Sequence, residues 1–187
     1  HCVTRRQRQM CIRDRGEICA QTLFEQGESA ASAVAKGMVD DNLENIVEAN
    51  TLLSGIGFES GGLALAHAIA QSLTAVPVAH DNYLHGEHVA IGTMVQLMME
   101  QHVDTERVAK FFAKVGLPVH LGQISLSRED QTAMRTIVEA TVSWPTSHNM
   151  PIPVNDQSIR SALVSADELG LSVAASVGDE AYRRLQK

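Results

Sequence analysis

The sequence predicts an all-α fold. Aromatic residues make up 4% of its 187 residues, the apolar weight falls on Ala, Leu, Val and Ile, and the apolar-polar alternation that marks half-buried strands is scarce. Apolar residues at helical spacing recur from Gly16 to the C-terminal region, punctuated by capping and stopping residues. A chain of this length can bury one substantial core, so a single domain over residues 16–187 is expected.

Charge and composition narrow the partners. A formal charge of -7 and a pI near 5.6 argue against a nucleic-acid footprint or an anionic membrane surface. No apolar run approaches the ~20 residues of a membrane span, and no signal peptide is recognisable, so a cytoplasmic protein is expected. Cys2, Cys11 and Cys19 form no C-x-x-C pair and lie too close to one end to staple a fold. The first fifteen residues, HCVTRRQRQMCIRDR, differ from the remainder: they carry five of the fifteen basic residues and only one acid, Asp14. The run RRQRQMCIRDR resembles translated sequencing-adapter read-through. Residues 1–15 are therefore expected to be a non-native or disordered arm, and no function is assigned to them.

The elements follow in order. Ile18, Cys19, Leu23 and Phe24 form a helical stripe that continues through ESAASAVAKG to a stop at Gly37. Asp40 and Asp41 supply a cap and first-turn charge for a second helix through Leu43, Ile46, Val47, Asn50 and Leu53, ending near Ser54-Gly55. The run from Gly57 to Gly62 reads as a turn. Leu63 to Leu73 is a helix apolar on nearly every side except His67, Gln71 and Ser72, which makes it central. A connector from Thr74 to Gly86 leads to a long helix over about Glu87 to Gln101. Asp104 is expected to cap TERVAKFFAKV, which Gly116 and Pro118 stop. Ser127-x-x-Asp130 has the form of a capping box for a helix to about Ser143, and SWPTSHNMPIPV is a Pro-bounded loop. Asn155 or Asp156 opens the terminal helix, with Gly170 and Gly178 as weak points.

The stretch from Ala49 to Gly92 carries the candidate chemistry. It gathers Gly55, Gly57, Gly61 and Gly62, then His67, His80, His85 and His88, in a segment otherwise rich in Ala, Leu, Ile and Val. Glycine costs a helix interior about 1 kcal/mol relative to Ala, so such grouping serves a turn or a close backbone approach. Two imidazoles on neighbouring elements can converge on a metal, but with no H-E-x-x-H motif and no Cys pair the spacing leaves the matter open. A core histidine bonded to a backbone carbonyl is the alternative for His67. His80 and His88 are expected at exposed loop or helix-start positions, and Asp81 and Glu87 as helix-start charges. His148 either lines a pocket or bonds its own turn. Met94, Met98 and Met99 are read as core filling.

Several stretches carry a family resemblance: IVEANTLLSGIGFESGGLALAHAI, then HGE followed by VAIGTMVQL, VGLPVHLGQI, and SHNMP. Together they resemble the C-terminal helical domain of bacterial glycerol dehydrogenases, in the iron-containing alcohol dehydrogenase superfamily with its dehydroquinate synthase-like fold. The resemblance covers about Gly16 to the terminal helix, and GFESGGLALAHAI is its most specific part. It implies that His67 and His85 bind a catalytic divalent ion, zinc or another metal such as iron, and that an aspartate lying upstream completes the set. It further implies oxidation of glycerol to dihydroxyacetone by NAD, with the metal polarising the alcohol oxygen and hydride passing to the nicotinamide. By the same resemblance, Phe58 and His148 line the substrate and the full-length protein is a homo-oligomer. NAD is expected on an N-terminal Rossmann-like domain that this chain lacks, because SGIGFESGG links two helices rather than a strand and a helix.

Departures from the family pattern stand at Ala70-Gln71-Ser72, where His-Asn-Gly is common, and at Leu84 and His88, where Tyr and Lys are common. Ile152-Pro153 replaces small residues after HNMP. These leave both expected ligands in place and bear on substrate preference. Another metal-dependent alcohol dehydrogenase or a dehydroquinate-synthase-like enzyme is the alternative within the superfamily. A non-catalytic, stand-alone helical binding module is the alternative outside it.

Overall fold

The structure, a computed structural model, describes residues 5–55 and 62–186, with side chains from residue 16 onward. The expected turn from Gly57 and the candidate Phe58 lie outside the described residues, as do residues 1–4 and the side chains of the remaining arm. All regular structure among the described residues is helical. The chain divides into two compact units, one ending at Gly62 and the other beginning at Leu63.

In the first unit, α1 (Arg5–Ala35) packs on α2 (Asp41–Glu48) and on the π-turn Ala49–Leu53 that extends it. Asp40 begins α2 as expected: its backbone is extended and its carboxylate accepts from the Leu43 N–H at 2.9 Å. Asn45 Nδ2 donates to Gln26 Oε1 across the α1–α2 contact at 2.9 Å.

The second unit holds α3 (Leu65–Leu73), α4 (Pro77–Asn82), α5 (His85–Met99), α6 (Thr105–Val115), α7 (Gln131–Ser143), α8 (Asp156–Val177) and α9 (Glu180–Leu185). Short 3-10 turns interrupt them at Leu121–Ile124 and Pro145–His148. Its core is assembled from Leu65, Ile69 and Leu73 of α3, Met94 and Val95 of α5, Met134 and Ile137 of α7, and Ile159 and Leu163 of α8. The expected central helix is α3. It packs on α5, α7 and the Pro145–His148 turn, and six of its nine residues are buried. Met94 is fully buried and Met98 and Met99 pack against the core, as filling residues do.

Two glycines act through what they lack. A Cβ on Gly92 of α5 would stand 2.1 Å from the Ala66 carbonyl oxygen of α3, so these helices meet backbone to backbone. A Cβ on Gly170 of α8 would stand 1.8 Å from the Val119 carbonyl oxygen. Gly170 is therefore a close-approach position inside an unbroken helix, not the weak point expected from its helix cost. Gly116, by contrast, ends α6 through a left-handed conformation at φ +88, as its position before Leu117-Pro118 predicts.

Three local expectations are corrected. The Thr74–Gly86 connector contains a helix, α4, for which Pro77 at the first turn is the local signal. Asp104 stands before α6 without capping it by its side chain. Its carboxylate instead faces Arg107 at 3.7 Å. The cap of α7 is Asp130 itself, whose Oδ1 accepts from the Thr132 and Ala133 N–H groups at 3.0 Å each. Ser127 lies three residues too early and turns its hydroxyl to Glu129. Asn155 caps α8, accepting from the Ser158 N–H at 3.0 Å.

Gly92→Ala and Gly170→Ala should each destabilise the protein by about 1–3 kcal/mol, the usual penalty of forcing atoms into a packed core. A free energy of urea unfolding unchanged in either variant would contradict the backbone contact described for it.

Candidate functional site

His67 projects from the first turn of α3, whose apolar faces are held by the core, and is half-buried. His85 opens α5 and is exposed. The fold brings the two imidazoles together, with ring centroids 5.8 Å apart and planes tilted by 48°. Two imidazoles on one ion, with metal–nitrogen bonds of ~2.0–2.1 Å at a tetrahedral angle, stand with centroids roughly 5 Å apart. The observed spacing is close to that. Burial lowers the pKa of His67, and the neighbouring His85 lowers it further, so its imidazole is held neutral with a lone pair available. Among the described residues no group of three or more His, Cys, Asp or Glu side chains forms a cluster able to hold a metal.

The start of α5 sets which histidine faces where. The helix begins at His85 and not at Glu87, so His85 sits at the rim and His88 falls one turn inside. His88 is 2% exposed, against the expectation of an exposed helix-start residue. Its Nε2–H donates to the Ala79 carbonyl of α4 at 3.2 Å, and its Nδ1 is buried with no partner. The carbonyl-bonded core histidine considered for His67 is therefore His88. Glu87 does take the helix-start role: its Oε2 accepts from the Leu84 N–H at 2.8 Å. His80 is exposed and pairs with Asp81 at 2.9 Å.

His148 is exposed and its Nε2–H donates to the Val142 carbonyl at 3.0 Å, so of its two readings the turn bond is present. Beside it, Asn149 Nδ2 donates to the Leu63 carbonyl at 2.8 Å, which ties the SHNMP loop to the segment leading into α3. A groove of about 450 Å³ is lined by Asn82, Leu84, Gly86, Glu87, Leu117 and Leu185, among others. Neither His67 nor His85 lines it, although Leu84 and Gly86, on either side of His85, do. Sequence reasoning passed over Gln96, whose side-chain carbonyl accepts from the Ala66 N–H at 2.9 Å. A polar residue among buried Ile91, Met94 and Val95 was the available signal.

A glycerol dehydrogenase of Escherichia coli is 45% identical over 157 residues, which make up 82% of this chain and 42% of that protein. The chain is homologous to part of the glycerol dehydrogenases. It spans less than half the length of the curated relatives it matches, another of which is a glycolaldehyde reductase of Halobacterium salinarum, 42% identical over 160 residues and covered to 44%. The structure agrees with this kinship. It aligns with glycerol dehydrogenase from Schizosaccharomyces pombe at a TM-score of 0.81 and 34% identity, covering 90% of this chain and 44% of that one. A probable glycerol dehydrogenase from Sinorhizobium meliloti gives 0.82 and 32%, covering 87% and 46%. No family model matches the chain. Among the described residues of this glycerol dehydrogenase homologue, no helix is long and apolar enough to cross a membrane.

Two titrations follow from the partly or fully desolvated imidazoles. The pKa values of His67, His88 and His120 are each lowered from the ordinary 6.5, with burial the largest cause. Below pH 6.5 the unfolded chain takes up protons that the folded chain resists, so stability should fall as the pH drops through that value and stay level above it. The slope of unfolding free energy against pH should be shallower in His88→Gln. In His85→Ala, the His67 pKa followed by NMR should rise but remain below the ordinary value, because burial persists. A His67 pKa unmoved by His85→Ala would mean that the two rings do not sense each other.

Proposed function

We propose that this chain is the metal-binding part of an NAD-dependent polyol dehydrogenase that oxidises glycerol to dihydroxyacetone. The observation that carries the proposal is the approach of His67 and His85 within a chain homologous to glycerol dehydrogenases. A divalent ion, zinc or another metal such as iron, supplies Lewis acidity toward the oxygen of an alcohol. His67 offers a neutral imidazole from a rigid, buried helix, which fixes one ligand direction. His85 offers the second from the exposed start of α5, open to a small polyol. His148, its Nε2 committed to Val142, leaves Nδ1 as an acceptor for a substrate hydroxyl.

The aspartate that completes the ligand set and the Rossmann-like domain that binds NAD belong, in this reading, to the portion of the relatives outside the match. Two imidazoles alone make an incomplete set, so the 187-residue chain takes up zinc weakly. The full-length protein is cytoplasmic and homo-oligomeric. The similarity to a glycolaldehyde reductase favours, as a second reading, a small hydroxycarbonyl substrate on the same metal.

Zinc uptake, measured by calorimetry on folded variants, should be abolished by His67→Ala or His85→Ala and retained by His80→Ala. Joined in frame to the unmatched part of a glycerol dehydrogenase relative, the chain should form NADH from glycerol and bind zinc more tightly. Loss of uptake in His80→Ala with retention in His67→Ala would overturn the site. A joined protein that binds zinc and NAD but oxidises no polyol would favour a non-catalytic binding module.

A further inference from the structure

The first turn of α3 has N–H groups without intrahelical partners, and Ala64, at the capping position, has no side chain to accept from them. The acceptor comes from another helix. Gln96 of α5 receives the Ala66 N–H on its Oε1 at 2.9 Å, while its Nε2 donates to Glu100 Oε1 at 3.0 Å. The carboxylate can only accept, so the amide must turn its nitrogen to Glu100 and its oxygen to Ala66. Gly92 lies one turn before Gln96 on the same face of α5, and it is the residue against which the Ala66 carbonyl rests. Ala66 is thus held at both of its backbone groups by one helix. His67 is the next residue, and His85 opens the helix that does the holding.

We propose that Gln96, oriented by Glu100, is a positioning residue for the metal-binding pair: it fixes the register of α3 on α5 and so the separation of His67 from His85. The proposal rests on the reading of those two histidines as ligands. Its physical content is that the capping bond from Gln96 to the Ala66 N–H, made in a half-buried setting, holds the segment adjacent to one ligand. Without it, the first turn of α3 frays, and the His67 ring samples positions from which it cannot share an ion with His85.

The test uses cobalt(II), whose visible absorption reports on its ligands, together with hydrogen exchange of the Ala66 amide. Gln96→Leu should weaken cobalt binding about tenfold and speed Ala66 exchange, while cooperative unfolding is retained. Gln96→Glu alone, which sets two carboxylates against each other, should also weaken binding. Gln96→Glu combined with Glu100→Gln restores an acceptor facing Ala66 and a donor facing that acceptor, and should return affinity to within about threefold of the original. Should Gln96→Leu prove too unstable to study, Glu100→Ala, which frees the amide to rotate, should weaken binding in a folded protein.

Wild-type cobalt affinity in Gln96→Leu, with binding lost in His67→Ala, would overturn the positioning role. So would a double variant that recovers stability but not affinity, because the role would then be structural only. If His67→Ala leaves cobalt binding intact, the metal reading fails instead. Ala66 exchange unchanged by Gln96→Leu would then overturn the clamp by itself.

Discussion

The second unit depends on one backbone contact, the approach of α3 to α5 at Ala66 and Gly92. Helices bearing side chains at their crossing keep their axes about 8–10 Å apart, and removing the side chain from one of them brings the backbones together. That closeness lets a side chain four residues along α5 reach a backbone N–H of α3. It also lets short imidazoles from the two helices come within 5.8 Å between ring centres. The core residues Leu65, Ile69, Met94 and Val95 supply the hydrophobic driving force, which is non-directional and sets no register. Gly92 and Gln96 supply the direction.

Burial has opposite uses for the two internal imidazoles of α3 and α5. Burial disfavours protonation of His88, while its Nε2–H bond to Ala79, which works against that shift, ties α4 to α5. His67 is only half-buried, so its neutrality comes with access. The same desolvation that makes a histidine a poor base makes it available to a cation that does not have to displace a proton. His120, the third lowered group, lies beside the 3-10 turn and is held on its backbone side by Gln123.

Homology and geometry contribute different things. Similarity to glycerol dehydrogenases over 82% of the chain says what kind of protein these helices belong to. It does not say which contacts hold the start of α3 against its neighbours, and those contacts are specific: an amide on α5, a carboxylate that orients it, and a loop amide from Asn149 on Leu63.

What the sequence determined by itself was local. The all-α class, the caps at Asp40 and Asn155, the stop at Gly116 and the centrality of α3 each depend on residues within a turn or two of one another, so composition and spacing expose them. His67 and His85 were legible only through family resemblance, since eighteen positions of sequence carry no signal that two rings will meet. Tertiary structure decided the rest. The burial of His88 is decided by α4, whose Ala79 carbonyl receives its Nε2–H. Gly170 became a contact instead of a weak point because Val119, fifty-one positions away in the sequence, lies against it. Gln96 acquired its partner across thirty positions. In each case the deciding group lies on another element, and helical periodicity describes only the element that carries it.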